Sequence, residues 1–146
     1  MLVLRSRLLR PVLVVVTTVA GLLATAAPAH ADSIENYWSC SSGTFSFWGA
    51  KHSCIKGTVA GGATQYGSPS ADRQFIVGTD HQIYNIVHYE TGYLSGWKSL
   101  GGWGQRGVWV SSSNGPSNIS IYTIGSDGNR WCKRLTSGSW GGWYRC

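Results

Sequence analysis

The sequence predicts an all-β protein built from antiparallel repeats of about 46 residues, and three observations support this fold class. Gly96-Trp97 recurs 46 positions later as Gly142-Trp143. Beyond the N-terminal segment, no window shows a sustained apolar period of 3.6 residues, so helices are not expected. Two cysteine pairs share one spacing, and the second lies two periods after the first: Cys40 with Cys54, and Cys132 with Cys146.

Residues 1–31 are predicted to be a secretory signal peptide. A basic start precedes a mostly apolar stretch over residues 11–23, and Ala29-His30-Ala31 has the small-residue pattern of a cleavage site. A retained membrane anchor is the alternative, but the stretch is short for a span of about 20 residues. The composition of the segment is typical of a bacterial signal. We therefore expect a secreted chain of residues 32–146 with no membrane contact after cleavage.

All four cysteines lie in the exported part, where an even number indicates disulfides. Four cysteines allow three pairings. The repeat spacing predicts the pairing within each copy, Cys40–Cys54 and Cys132–Cys146. Each bond would then cross-link one hairpin. The middle copy has two apolar residues, Ile86 and Leu100, at the corresponding positions.

The net charge of +6 is higher than that of the exported chain, because three of the twelve basic residues lie in the predicted signal. Nine Lys and Arg then stand against six Asp and Glu. The surplus of positive charge is concentrated in the last repeat, which is compatible with an acidic polymer as a binding partner. A solvated strand face is the favoured interpretation, since the excess is small, and no nucleic acid partner is expected.

Strand and turn patterns recur along the chain. In the middle copy, residues 73–77 and 83–89 are predicted strands joined by a turn at 78–82, and residues 95–100 are a third, shorter strand. In the last copy, residues 118–124 and 129–135 are predicted strands. Asp127-Gly128 between them suits a tight hairpin turn. The turn residues Asp80 and Asp127 are 47 residues apart instead of 46. We interpret the extra residue as a bulge.

The first copy is incomplete, because only its closing hairpin, residues 37–54, follows the predicted signal. Within it, Trp48-Gly49 matches Trp140-Gly141. The sequence thus predicts a single domain over residues 32–146, consisting of a partial unit at 37–54 and two full units at 57–102 and 104–146.

The order of these motifs resembles the blade repeat of bacterial β-propeller lectins, the family of the Photorhabdus fucose-binding lectin and of tectonin-like repeats. The resemblance covers residues 68–146, with 37–54 as a weaker third copy. It depends on a strand followed by Gly-Thr-Asp, a short aromatic strand, Gly-Trp and a final Leu-Gly-Gly. The matching segments are Val77-Gly78-Thr79-Asp80, Ile83-Tyr84 and Ser95-Gly96-Trp97-Lys98-Ser99-Leu100-Gly101-Gly102.

The resemblance implies propeller-blade-like sheets and a lectin function. Propellers close with about four to eight blades, more than this chain supplies. Either several chains form a homo-oligomer that closes a ring, or the disulfides hold an open stack of sheets. We favour the oligomer slightly, because an uncovered sheet edge invites pairing.

The sequence gives no sign of catalysis. No nucleophile elbow, zinc-binding helix or phosphate-binding loop occurs, and no histidine of the exported part has a partner at metal-ligand spacing. Asp80 and Asp127 correspond in the repeat, so we predict that each caps its own turn. The expectation is a protein that is not an enzyme and that needs no cofactor or metal.

Aromatic residues are the stronger functional signal: the chain has eight tryptophans and seven tyrosines but only three phenylalanines. Tryptophan stacks on the apolar side of a sugar ring while polar neighbours bind its hydroxyl groups. Packing between repeats is the alternative, and we favour it for three pairs of matching positions: Trp48 with Trp140, Trp97 with Trp143, and Tyr84 with Trp131. The candidate sugar-stacking residues are Trp97, Trp103, Trp109, Trp140, Trp143 and Tyr93.

The predicted function is glycan recognition, on a cell wall or another cell surface, through aromatic pockets between repeats. Two alternatives remain. One is a structural or interaction protein of the cell surface, in which the aromatic residues pack only internally. The other is a small secreted effector or inhibitor that uses the basic last repeat.

Overall fold

The computed structural model describes residues 33–146, and the predicted signal peptide lies outside them. The described residues form strands and connections without a helix, which confirms the all-β class. Their twelve strands are β1 (Ser33–Ser39), β2 (Thr44–Phe47), β3 (Ala50–Ser53), β4 (Val59–Gln65), β5 (Ala71–Val77), β6 (Ile83–Tyr89), β7 (Lys98–Ser99), β8 (Val108–Ser113), β9 (Ile119–Ile124), β10 (Arg130–Thr136), β11 (Ser139–Trp140) and β12 (Tyr144–Arg145).

The strands form two five-stranded antiparallel sheets and one separate hairpin. The first sheet has the order β1-β4-β5-β6-β7. The second has the order β11-β10-β9-β8, with β12 also paired to β10. Strands β2 and β3 form the hairpin. From β4 onward each sheet is a meander, because consecutive strands are joined by short turns.

The predicted strands of the two meanders are confirmed with small shifts at their ends. Strand β6 has the predicted bounds, and β5, β9 and β10 differ by one or two residues. The third strand of the middle copy is shorter than predicted, with only Lys98 and Ser99 paired to β6. Glycines at 96, 101 and 102 have positive φ angles, which bend the chain away from a regular ladder on both sides of this strand.

Both faces of β5, the central strand of the first sheet, are buried. Phe75 and Val77 face the second sheet and pack in a core with Val108, Ile119 and Ile121. Ile76, which points the opposite way, packs with Cys40, Cys54 and Ala60 beneath the hairpin. A strand buried on both faces has a continuous apolar run instead of an alternating pattern. The molecule therefore consists of three layers: hairpin, first sheet and second sheet.

The two sheets approach most closely at β4 and β8. Val59 forms a parallel bridge with Gly107. A Cβ atom at Gly61 would collide with the carbonyl oxygen of Val108. Glycine at this position therefore permits the close approach of the two backbones.

Strand β1 lies along the outer edge of β4 and also contacts the second sheet. It pairs antiparallel with β4 over its whole length. The Tyr37 hydroxyl shares its proton between Glu35 Oε2 at 2.8 Å and the carbonyl oxygen of Val110 at 3.2 Å. The Ser33 hydroxyl donates to the carbonyl oxygen of Ser113 at 3.1 Å. β1 thus ties the two sheets together along one side.

The predicted disulfide pairing is confirmed: Cys40 is bonded to Cys54 and Cys132 to Cys146. The first bond attaches the β2–β3 hairpin to the core beneath it. Within the segment predicted as a partial unit, residues 37–54, the chain thus contributes the end of β1 and this hairpin.

Trp48 and Trp140 do not occupy corresponding positions, although their sequences match. Trp48 and Gly49 form the turn of the β2–β3 hairpin, with φ angles of 49° and 81°. The residues with the same backbone conformation are Ser137 and Gly138, whose φ angles are 49° and 80°. Trp140 lies in β11 instead. The match Trp48-Gly49 with Trp140-Gly141 therefore reflects composition and not position.

The one-residue difference between the two meanders lies in a turn, which corrects the interpretation as a bulge. Residues 90–92 connect Tyr89 to Tyr93, whose main chains are hydrogen-bonded. Only residues 137–138 connect Thr136 to its partner Ser139. The longer turn accommodates the extra residue. A register shift does occur, but in β8 between Val110 and Ser112.

We predict that Gly61→Ala destabilises the protein by about 1–3 kcal/mol, because the added methyl group forces β4 and β8 apart. The matched control is Gly142→Ala, where a Cβ atom would meet nothing within 4 Å. Urea unfolding of the oxidised protein measures both. Equal stability of the two variants would contradict the close approach.

Candidate functional site

A cleft opens where the end of the first sheet meets the turn between β9 and β10. Its volume is about 330 Å³. Three indole side chains and one carboxylate surround it, together with a threonine, a serine and two glycines. The lining residues are Gly102, Trp103, Thr123, Gly125, Ser126, Asp127, Trp131 and Trp143.

The turn between β9 and β10 positions Asp127 and Trp131. Gly128 has a φ of 74°, as a tight hairpin turn requires. Asp127 Oδ1 accepts hydrogen bonds from the Asn129 N–H at 3.0 Å and from Trp131 Nε1–H at 3.2 Å. A Cβ atom at Gly125 would lie 2.7 Å from the Trp131 ring, so glycine lets the indole lie against the turn. The predicted capping role of Asp127 is confirmed, and the same carboxylate also orients Trp131.

Trp143 fastens the second sheet to the first. Its Nε1–H donates to the carbonyl oxygen of Leu100 at 3.0 Å. The indole is half-buried against the core between the sheets. The ammonium group of Lys133 lies 5.4 Å from its ring centroid. One indole surface therefore packs internally while the remainder lines the cleft.

Trp103 is the most exposed of the three indoles, at 38%. It stacks on the His81 ring with a centroid distance of 4.1 Å and an interplanar angle of 5°. His81 is fixed in turn by its Nδ1, 2.9 Å from the carbonyl oxygen of Gly104. The imidazole covers one face of Trp103 and holds the indole at the rim of the cleft.

The carboxylate of Asp127 is ionised at neutral pH. Hydrogen bonds from Asn129, joined by that from Trp131 and by the charge of Arg145, lower the pKa of Asp127 below its ordinary value of 3.8. Its Oδ2 has only one long contact, 3.4 Å from Trp131 Nε1. This oxygen can accept hydrogen bonds from a ligand, because an ionised carboxylate offers about four acceptor positions.

The corresponding region of the first sheet is filled by the protein itself. Asp80 accepts hydrogen bonds from the Gln82 N–H at 3.0 Å and the Tyr84 hydroxyl at 2.9 Å, as Asp127 does from Asn129 and Trp131. The His52 ring, from the hairpin, lies 4.1 Å from the ring of Tyr84. The hairpin thus covers the aromatic residue that would face a ligand.

Of the six predicted stacking residues, the cleft brings together Trp103 and Trp143. Trp97 lies beneath the hairpin, where its Nε1–H donates to the Ala50 carbonyl at 3.2 Å and Phe45 meets its ring edge-on. Trp140 packs edge-on against Phe75.

The remaining two predicted residues also lie outside the cleft. Trp109 stacks on Tyr122 across β8 and β9. Arg130 covers the Tyr122 ring with its guanidinium group, 3.6 Å from the ring centroid. Tyr93 is 57% exposed on the turn after β6 and contacts Tyr89.

Trp131 and Asp127 were not among the predicted ligand contacts, since the repeat suggested packing for one and turn capping for the other. Their spacing carried a usable signal. An Asp at a hairpin turn and a Trp four residues later place a carboxylate beside an indole N–H at the end of the sheet.

No family model matches this chain, and no curated protein matches it. Among residues 33–146, no group of three or more His, Cys, Asp or Glu side chains could hold a metal ion. The same part of the chain contains no helix long and apolar enough to cross a membrane.

We predict that Trp97→Ala lowers the free energy of unfolding by about 3 kcal/mol, because it empties the core beneath the hairpin and removes the bond to Ala50. Chemical denaturation measures the change. Tyr93→Ala is the control, and it should cost less than about 0.5 kcal/mol because the side chain is exposed. A Trp97 variant as stable as the control would contradict this packing role.

Proposed function

We propose that the protein is a secreted carbohydrate-binding protein whose cleft receives one sugar ring between Trp103, Trp131 and Trp143. The observation that carries the proposal is the grouping of three indoles around a cleft that also presents the ionised Asp127. Flat apolar walls with one strong acceptor suit a sugar, which has an apolar face and a rim of hydroxyl donors. The two disulfides are compatible with an extracellular location.

The size of the cleft sets the scale of the ligand. A volume of about 330 Å³ is near the lower end of the range for small-molecule sites. Such a cleft holds a terminal or single ring better than an extended oligosaccharide. Affinity for one ring is then modest, and several sites held together would raise it by avidity.

We further propose that the two meanders are two units of one blade-like repeat. Three correspondences support this. Trp97 and Trp143 each donate from the indole N–H to a carbonyl of the preceding layer. Asp80 and Asp127 each accept from an aromatic side chain four residues later. Tyr84 lies opposite Ser99 in the first sheet as Trp131 lies opposite Arg145 in the second.

Completion of a ring by several chains stays a prediction. The outer surface of the second sheet is open to such a partner, and the stacked Trp109 and Tyr122 lie on that sheet. β1 runs along β4 and contacts β8, so a ring would have to accommodate this strand on its inner side. An open, disulfide-held stack needs no such adjustment, and β1 therefore favours the stack.

We predict that Trp103→Ala lowers the affinity for the bound monosaccharide at least tenfold, because one stacking wall is lost. The control is Trp48→Ala. Trp48 also stacks on a histidine, His88 at 3.9 Å, and is 61% exposed, but it does not line the cleft.

The measurement is a titration of ¹⁵N-tryptophan-labelled protein with L-fucose and D-galactose, followed through the indole N–H signals. Shifts confined to the cleft indoles and lost in the Trp103 variant support the proposal. A sugar that binds the Trp103 variant as tightly as the parent, or that shifts no cleft indole, would refute this site for the sugars tested.

We predict that the contribution of Asp127 to sugar affinity, measured as the difference between the parent and the Asp127→Asn variant, is unchanged from pH 7 to about 5 and declines only below 3.8. The pKa of Asp127 is lowered, so its carboxylate remains an acceptor until the pH falls through that lowered value. Titrations of the same labelled protein across this range measure the dependence, with Asp80→Asn as control and Asp127→Asn as the affected variant. A difference between the parent and the Asp127→Asn variant that disappears between pH 7 and 5 would contradict the lowered pKa of Asp127.

A further inference from the structure

A buried guanidinium lies at the interface between the two sheets. Arg73 is on β5, on the face that bears Phe75, and its side chain is only 5% exposed. Burial lowers the pKa of Arg73, an effect that nearby Tyr89 partly offsets. Arginine nevertheless keeps its charge in proteins. A buried charge without a counterion is costly, so its surroundings indicate what it binds.

The acceptors that residues 33–146 offer to Arg73 are neutral: three at long distances, and the side chain of Tyr89, whose hydrogen bond raises the pKa of the guanidinium against the effect of burial. Nε donates to Gln65 Oε1 at 3.5 Å, Nη1 to Asn85 Oδ1 at 3.3 Å, and Nη2 to the Pro116 carbonyl at 3.2 Å. These distances are at or beyond the upper end of the usual range. Within residues 33–146, no carboxylate accepts a hydrogen bond from this group.

The neighbouring acids are directed elsewhere. Asp72, next in the chain, faces the opposite side of the sheet, where it lines a different pocket with Glu90 and His88. Glu90 accepts a hydrogen bond from the Ser70 hydroxyl. Within residues 33–146, no carboxylate therefore neutralises the positive charge of Arg73.

Two donors of the guanidinium remain. Of its five N–H groups, the three bonds above use one on Nε, one on Nη1 and one on Nη2. One N–H is left on each Nη atom, and Tyr89, on the wall of the same pocket, is the neutral acceptor that a ligand carboxylate would compete with. Two N–H groups on adjacent nitrogens match the two oxygens of a planar carboxylate in a bidentate pair.

Arg73 lines a pocket of about 300 Å³ that shares no residue with the cleft of the proposed sugar site. Lys98 adds a second cation to this pocket, and its side chain is exposed. Trp140 supplies an apolar wall, and Ser95, Ser99 and Ser117 are among the lining residues. The hydroxyls of Ser95 and Ser99 already donate to Gly96 and Gln82, so these two groups can act towards a ligand only as acceptors. The pocket thus combines a buried cation, an exposed one and an aromatic surface.

We propose that this pocket binds the carboxylate of an acidic sugar, such as a hexuronate, with the carboxylate on Arg73 and the ring against Trp140. A carboxylate fits the remaining pair of N–H groups, and its single negative charge compensates the single buried cation. The aromatic wall and the hydroxyl groups give the site a preference for an anion carried on a sugar ring over a bare anion. This proposal does not depend on sugar binding in the cleft.

Arg73 could otherwise serve only as a clamp between the sheets, through its bond to Pro116. The experiment must therefore report on ligand binding at the pocket and not on stability alone. Titrations of ¹⁵N-labelled protein at constant ionic strength follow Arg73 Nε–H and the Trp140 indole N–H. The probes are sodium D-glucuronate, D-glucose, sodium acetate and sodium phosphate.

Variants at the rim avoid disturbing the buried network. Lys98→Met removes the exposed cation. Ser117→Phe fills the pocket without removing any hydrogen bond of Arg73, and Ser117→Ala is its matched control. Thermal unfolding of each variant verifies that it is folded.

Glucuronate is expected to shift both signals and to bind at least tenfold more tightly than glucose, acetate or phosphate. Lys98→Met should weaken it severalfold, Ser117→Phe should abolish binding, and Ser117→Ala should retain it. Glucuronate that leaves both signals unmoved would overturn the proposal, as would equal binding of glucose. Equal binding of acetate or phosphate would overturn the acidic-sugar assignment, and undiminished binding to the Ser117→Phe variant would place the ligand elsewhere.

Discussion

The burial of both faces of β5 is the constraint on which the rest of the structure depends. Phe75 and Val77 pack against the second sheet on one face of β5, and Ile76 packs beneath the disulfide-anchored hairpin on the other. The hydrophobic gain scales with the apolar area removed from water, and a single two-sided strand organises most of that area here. Gly61 then allows β4 and β8 to approach until their backbones touch, which brings the sheets into one fixed relation.

Both proposed sites follow from this arrangement, because each lies at the interface between the sheets. At one end, the loop after β7 brings Trp103 towards Trp131 and Trp143, and no further layer formed by residues 33–146 covers the cleft. Elsewhere along the same interface, the apolar side chains leave a pocket between the sheets, and Arg73 lines it. The hairpin gives the contrast: where a preceding layer is present, His52 occupies the surface of Tyr84 and no cleft remains.

Local patterns in the sequence predicted the strands of both meanders, the Asp-Gly turn and the disulfide pairing. These features depend on neighbouring residues or on a spacing that recurs. The pairing of β1 with β4 and the position of the hairpin could not be predicted in this way, because both depend on contacts between layers. The matched Trp48 and Trp140 show the limit, since a shared dipeptide does not imply a shared backbone position.

The candidate sites were also only partly predictable from the sequence. The abundance of tryptophan indicated sugar binding in general, but it could not separate Trp97, which is beneath the hairpin, from Trp103, which lines the cleft. The buried position of Arg73 left no pattern in the sequence, because the residue lies within an ordinary strand. The packing of the two sheets shows which aromatic surfaces remain open, and it shows that the Arg73 charge has no carboxylate partner within residues 33–146.

The most direct test of the central claim is a crystal structure of the oxidised protein with the monosaccharide that it retains best on a glycan array. The account predicts a ring bound among Trp103, Trp131 and Trp143, with one hydroxyl group donating to Asp127. An array without any retained glycan, or a neutral sugar bound away from this cleft, would contradict it.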